Sequence, residues 1–197
     1  MMILSRFRIE SSMAIEPTTR ESYRGYKPPC NVAKTIELLL RYVPPSDLRG
    51  FGGIVLTNAS GLSRSQRHRR TAAGSHFSDV NGLYHQGSEG QKAYVEIFVD
   101  NIFKGWPVPI ARLPFVRAII LSEVLYHELG HHVQSISKIR SSNREHFAES
   151  WELKAARRFM REHYWYLRPV FWVSRLLGAG KGTKLLFLGF LGPASWA

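Results

Sequence analysis

Two histidines and a glutamate form the pattern in this chain that is best suited to chemistry, His127-Glu128-Leu129-Gly130-His131. Positions four apart in an α-helix lie one above the other, so His127 and His131 can direct two imidazoles at one point. Zinc binds neutral imidazole nitrogen readily. Glu128 is turned aside from that line and can reach a water at the metal rather than the metal itself. The spacing therefore predicts a zinc site with Glu128 as the catalytic base.

The residues around this pattern predict a buried helix from about residue 115 to residue 137. Its apolar side chains occupy most faces: Ile119, Ile120, Leu121, Val124, Leu125, Leu129, Val133 and Ile136. A helix that is apolar nearly all round is buried, and a buried His-Glu-His set needs partners. These flanks count against a surface helix without a metal. Gly130 costs about 1 kcal/mol relative to Ala in a helix, so we expect another backbone to approach closely there.

A second helix, predicted to end near residue 166, follows a polar turn and carries the candidates for a third ligand. Its core stripe consists of Phe147, Trp151, Ala155 and Phe159. Beside that stripe stand three carboxylates, Glu145, Glu149 and Glu152. Any of them can face the histidine pair if the two helices form an antiparallel hairpin. Ser142 to Glu145 also has the spacing of a capping box, which would occupy Glu145 elsewhere.

The combined pattern resembles the gluzincin zinc metallopeptidases, which include thermolysin-like and neprilysin-like enzymes. It is carried by His127-Glu128-x-x-His131 followed by Glu145-His146-Phe147-Ala148-Glu149, and it covers about residues 95–166. The resemblance implies Zn²⁺ as cofactor, with His127, His131 and Glu145 as ligands. It also implies that Glu149 orients the first histidine, although Glu149 is the alternative third ligand. The chain departs from the family in having Glu149 where Asp is usual, and in its short interval between His131 and Glu145.

The resemblance implies a function, the hydrolysis of peptide bonds in a peptide or protein substrate. Glu128 would take a proton from a water at the zinc and pass it to the leaving amine. Family members bind the peptide as an added strand, and Tyr94 to Asp100 is the candidate edge here. Its outward residues, proposed to contact substrate, are Tyr94, Glu96 and Phe98. The candidates for assisting the oxyanion are Tyr84, His163 and Tyr164.

The remaining elements predict an α+β fold, a small zincin-like domain. We expect a short mixed sheet packed on the metal-binding helix and on the antiparallel helix that follows it. Further predicted elements are a helix at residues 31–42 capped by Asn31, a strand at 54–57, a brief strand or turn at 82–87 and the best strand at 93–100. Residues 1–27 are predicted to be a disordered tail, 28–166 the metallopeptidase domain, and 167–197 a hydrophobic and basic segment.

Composition limits the cellular setting and the partners. The chain has 197 residues, a formal net charge of +12 and one cysteine, which fits a reducing compartment. Its first residues do not form a secretory signal, so a cytoplasmic location is expected, with membrane association as a further option. The basic run Ser63 to Arg70 is typical of a solvated loop, and nucleic-acid binding is disfavoured. The sequence does not predict an oligomeric state.

The C-terminal segment and the charge leave alternatives open. Residues 167–197 mix aromatic side chains with Arg and Lys, which is typical of a segment lying on an anionic membrane surface. A packed helix or a dimer contact is the competing interpretation. A non-catalytic zinc-binding regulatory protein, or a basic binder of nucleic acid or membrane, is the alternative function. The small size, the charge and the basic run motivate these alternatives.

Overall fold

The computed structural model describes residues 17–70, 74, 76–137 and 143–167. Within these ranges it has four strands, β1 Thr18–Glu21, β2 Phe51–Thr57, β3 Gly82–His85 and β4 Ala93–Phe98. The α-helices are α1 Val32–Leu40, α2 Arg64–Arg67, α3 Val99–Ile102, α4 Val108–Arg112, α5 Pro114–Ile136 and α6 Arg144–His163. Short 3₁₀ turns occupy Pro45–Leu48, Ala59–Gly61 and Trp165–Leu167. The expected α+β class is confirmed.

The strands form one mixed sheet in the order β1-β2-β4-β3. Strand β1 is parallel to β2 and β2 is parallel to β4, whereas β3 is antiparallel to β4. Strands β1 and β3 are therefore the outer strands. Two expectations change as a result. Residues 18–21, placed in a disordered tail, supply a strand, and β4 is hydrogen-bonded on both sides and offers no free edge.

Helix α1 follows its sequence signals closely. The Asn31 side chain accepts a hydrogen bond from the Lys34 backbone N–H at 2.9 Å, as a capping residue does. Ile36 and Leu39 are fully buried and face the core. The Leu39 carbonyl accepts a hydrogen bond from the Tyr126 hydroxyl at 3.1 Å, which ties α1 to α5.

Helix α5 lies between the sheet and α6. Leu121, Leu125 and Leu129 on α5 are fully buried, as are Val95 and Ile97 of β4. None of the helices in the described ranges combines the length and the apolar character needed to cross a bilayer. The expectation for the C-terminal segment concerns residues that, beyond Leu167, lie outside the described part of the chain.

Candidate metal centre

Three side chains from α5 and α6 converge on one point, and we call them the candidate metal centre: His127, His131 and Glu145. Their nearest ligand atoms all lie within 4.8 Å of one another. Glu145 Oε2 lies 3.4 Å from His127 Nε2 and 3.7 Å from His131 Nε2. The expected third ligand, Glu145, is therefore the carboxylate that meets both imidazoles.

This donor set fits zinc. Bonds of about 2.1 Å in a tetrahedral site place neighbouring donor atoms about 3.4 Å apart, and the distances from Glu145 Oε2 to the imidazole nitrogens lie near that value. The Glu145 side chain is 62% exposed, whereas those of His127 and His131 are 28% and 20% exposed. The centre is therefore open to solvent on the Glu145 side, where a catalytic zinc keeps its non-protein position.

The carboxylate that orients His127 is Glu152, not Glu149. Glu152 Oε2 lies 3.3 Å from His127 Nδ1, and its side chain is only 9% exposed. This hydrogen bond raises the pKa of His127. This contact at Nδ1 leaves Nε2 directed at Glu145, an arrangement in which ligating histidines are commonly supported. Glu149, predicted for this role or as the fallback ligand, is exposed on α6.

The reason for Glu152 is helical geometry. It follows Glu145 by seven residues, which is close to two full turns, so both carboxylates face α5. Ala148 lies between them on the same face and is fully buried. Glu149 is turned about 100° further round the helix than Ala148 and faces outward. The seven-residue spacing was visible in the sequence and was the signal for this role.

Gly130 sets the distance between the two helices, as expected from its position. A Cβ added there would lie 2.7 Å from the Cα of Ala148 and 2.9 Å from its carbonyl oxygen. Both atoms belong to the backbone, so they cannot move aside as a flexible side chain would. The contact lies between His127 and His131 on one helix and beside Glu145 on the other, and so positions the third donor.

Helix α6 begins so that Glu145 is left available. The N-cap is Asn143, whose side-chain oxygen accepts a hydrogen bond from the His146 N–H at 3.1 Å. The cap interaction therefore belongs to Asn143, and Glu145 is directed at the imidazoles. This resolves the alternative in which a capping box occupied the Glu145 carboxylate.

Glu128 lies against β3, the outer strand of the sheet. The Tyr84 backbone N–H donates a hydrogen bond to its carboxylate, and burial raises its pKa to about 7. Gly82 makes this approach possible, since a Cβ there would lie 2.9 Å from Glu128 Cγ and 3.1 Å from Oε1. A carboxyl group with such a pKa can both accept and donate a proton near neutral pH.

His132 has a structural environment and does not belong to the metal centre. It is 1% exposed, and its Nε2 lies 3.1 Å from the Arg49 carbonyl oxygen. Its Nδ1 lies 3.3 Å from the Tyr84 hydroxyl. Burial lowers the pKa of His132, so the neutral ring is favoured. It links α5 to β3 and to the segment just before β2.

The candidates for an oxyanion-assisting group all bind elsewhere. The Tyr84 hydroxyl is next to His132, and His163 Nδ1 lies 3.0 Å from the Tyr42 hydroxyl. The Tyr164 hydroxyl donates a hydrogen bond to the Pro114 carbonyl oxygen at 3.3 Å. His163 and Tyr164 are also at the far end of α6, about 27 Å along the helix from Glu145.

The predicted substrate contacts on β4 either contact His85 of β3 or are buried. The Tyr94 ring stacks on His85 with centroids 4.3 Å apart, and Glu96 Oε2 lies 3.1 Å from His85 Nε2. Phe98 is 1% exposed. The strand with an unpaired side next to α5 is β3, so the candidate edge moves from β4 to β3.

The basic run forms α2 and the turn after it. Arg64, Arg67 and His68 line a cleft of about 770 Å³ together with His76 and Ser78. Arg67 is fixed by hydrogen bonds to the Leu62 and Ser60 carbonyl oxygens. These residues are exposed or half-buried, and no ion pair to a carboxylate is found for the arginines of this run in the described ranges.

Comparisons with protein-family models, with curated proteins and with solved structures found no match for this chain.

Proposed function

We propose that this protein is a zinc-dependent metallopeptidase. The observation that carries the proposal is the convergence of three donor atoms within 4.8 Å of one another. His127 and His131 lie on α5, the helix that also bears Glu128, and Glu145 comes from α6. Two imidazoles, one carboxylate and an open position are a ligand set of catalytic zinc in hydrolases. The resemblance to the gluzincins points to the same chemistry and to a zincin-like fold.

Zinc, when bound, supplies a Lewis acid that polarises the scissile carbonyl and lowers the pKa of a water molecule. Glu128 accepts the proton of that water at a carboxylate oxygen as the water attacks the carbonyl carbon. The same oxygen then donates the proton to the leaving amine nitrogen. Glu152 holds His127 at Nδ1 throughout and keeps its neutral Nε2 directed inward.

The substrate lies along β3 in this proposal. Among the described strands β3 has one neighbour, β4, so its other side is proposed to accept an added strand. Gly82 and Tyr84 of this strand already touch Glu128, which brings an added peptide close to the base. The backbone groups on this side of β3, apart from the Tyr84 N–H that binds Glu128, would supply hydrogen bonds that do not depend on the substrate sequence.

Metal analysis and hydrolysis of an unfolded protein substrate test the proposal together. The purified protein should hold one zinc, and a chelator should abolish hydrolysis. Glu128→Gln should keep the zinc and lose at least about 100-fold in kcat, because only the proton transfers are removed. His131→Ala should lose the zinc, whereas His146→Ala, which changes an exposed histidine next to Glu145, should keep it. Activity that survives the chelator or the Glu128→Gln change would refute the proposal.

A zinc-binding protein without hydrolytic activity is the second candidate. It is favoured by one observation, the engagement of Tyr84, His163 and Tyr164 by other partners, which leaves none of them directed at an oxyanion. Stoichiometric zinc with no cleavage of a diverse peptide library would select this candidate over the peptidase.

A further inference from the structure

Large exposed hydrophobic side chains are concentrated at one end of the molecule, which we call the apolar end. It consists of Trp106, Val108, Ile110, Leu113, Trp165 and Tyr166, each between 41% and 64% exposed. In the described ranges the only other exposed large hydrophobic residue is Tyr94, which stacks on His85. Single exposed apolar residues are ordinary, but a concentration of six indicates an interaction surface.

The residues from Trp106 to Leu113 and the pair Trp165 and Tyr166 lie at the same end of the molecule, because α5 begins where α6 ends. The Tyr164 hydroxyl donates a hydrogen bond to the Pro114 carbonyl oxygen, and the Tyr164 ring packs edge-on against Phe115 at 5.1 Å. Trp165 and Tyr166 directly follow Tyr164, and α4 ends two residues before α5 begins. The apolar end is therefore one region, about 20 Å along α5 from His127.

The charges around the apolar end are positive. Lys104, Arg112 and Arg161 are exposed in or beside its segments. The neighbouring acid, Glu162, pairs with Arg158 at 3.1 Å. A surface of Trp, Tyr and aliphatic side chains bordered by cations complements the interface of an anionic bilayer.

We propose that the apolar end docks the protein on an anionic membrane surface. Trp106, Trp165 and Tyr166 enter the headgroup region, where aromatic rings with a polar group are favoured. Ile110 and Leu113 reach the acyl boundary, and the flanking cations lie against anionic headgroups. A second copy of the chain is a poorer occupant, because it would bring two molecules of net charge +12 together through their positive ends.

Sedimentation of the full chain with lipid vesicles tests this proposal. We expect binding to vesicles of equal parts phosphatidylcholine and phosphatidylglycerol, weaker binding to phosphatidylcholine alone, and loss of binding at high salt. The double variant Ile110→Ser and Leu113→Ser should weaken binding at least about tenfold, because two aliphatic groups no longer leave water. Both residues are exposed, so the fold should be retained, and circular dichroism checks this.

Matched variants distinguish binding through the apolar end from nonspecific hydrophobic binding and from attraction by the overall positive charge. Tyr94→Ser removes an exposed ring at the start of β4 and should leave vesicle binding unchanged. Lys104→Gln should weaken binding more than Lys92→Gln, which removes the same charge before β4. Equal binding by the wild type and the double variant would overturn the proposal. The proposal would also be overturned if the wild type did not bind vesicles but formed a dimer, and the double variant were monomeric. The surface would then join two copies of the chain.

Discussion

The two ends of the α5–α6 pair are packed by different means. At the candidate metal centre the helices meet through Gly130 and Ala148, with no side chain larger than a methyl group at the closest point. At the other end rings pack around the end of α6. Phe115 of α5 lies 5.1 Å from Tyr164, which directly follows α6, and Phe159 of α6 lies 5.1 Å from Tyr42, which follows α1. The first contact fixes the distance between two backbones, and the second buries a large apolar area.

This difference assigns different tasks to the two ends. Donor atoms must lie within a few tenths of an ångström of their places to bind an ion, and a contact between backbones is stiff enough to hold them there. Aromatic packing tolerates small shifts and buries apolar surface. Changes at the aromatic end should therefore act on the free energy of unfolding, and changes at the metal end on metal affinity.

The largest expected effect is on stability, from Phe159→Ala. Phe159 is fully buried among Tyr42, His163 and Tyr164. Losing its ring should lower the free energy of unfolding by about 3–5 kcal/mol, measured by urea denaturation. Phe147→Ala on the same helix removes a half-buried ring and should cost less. If the folded Phe159→Ala protein bound zinc much more weakly than the wild type, the two ends would not be independent.

The second prediction concerns Gly130→Ala. The substitution improves helix propensity by about 1 kcal/mol, but the new Cβ meets the Ala148 backbone at 2.7 Å. The helices must separate, and Glu145 moves away from the imidazoles. We expect a net destabilisation of about 1–3 kcal/mol and a loss of zinc affinity of at least about tenfold, measured by competition with a chromogenic chelator. A stabilised variant with unchanged affinity would show that the contact does not position the site.

Much of this arrangement could be predicted from the sequence, because its signals are local. The helical spacing of His127 and His131, the cap at Asn31 and the glycine at position 130 each depend on geometry within one element or on one close contact. The strand order could not be predicted in this way. The sequence of residues 93–100 does not indicate that β2 and β3 pair with the two sides of β4. Residues 18–21 are too polar for their pattern to predict a strand.

The carboxylate partner of His127 could be predicted only in part from the sequence. The resemblance to gluzincins favoured Glu149, four residues after Glu145. Burial favours Glu152, because the face of α6 that carries Ala148 and Phe159 turns it toward α5. The family spacing and the packing of this chain therefore give different answers, and the choice between them depends on how α6 is rotated against α5.

A pair of variants tests that rotation and is the third prediction. Glu152→Gln should weaken zinc binding about 10- to 100-fold, because the neutral amide no longer fixes the His127 ring as a carboxylate does. Glu149→Gln makes the same chemical change one turn away on an exposed position and should leave the affinity unchanged. Equilibrium dialysis with zinc measures both. The reverse result would assign the orienting role to Glu149 and require a different rotation of α6.

The smallest expected effect is the pH dependence of the metal-free protein. Burial lowers the pKa of His131 and His132, so the unfolded chain takes up their protons first as the pH falls. These two rings lower the free energy of unfolding below about pH 6.5, the ordinary pKa of histidine. His127 and Glu128 oppose this trend, because the hydrogen bond to Glu152 raises the pKa of His127, burial raises the pKa of Glu128 to about 7, and the folded state therefore binds both protons more tightly.

Removing the stabilising contribution of His127 protonation makes this pH prediction more specific. Glu152→Gln should steepen the loss of stability on acidification, since His127 no longer gains from protonation in the folded state. Urea midpoints in chelator, taken from about pH 7.5 to about pH 5.5, measure both slopes. A wild-type midpoint that rises on acidification would mean that protonation of His127 and Glu128 outweighs the effect of the two buried rings. In that case the carboxylates at the metal centre would stabilise the protonated folded state by more than burial of the histidines destabilises it.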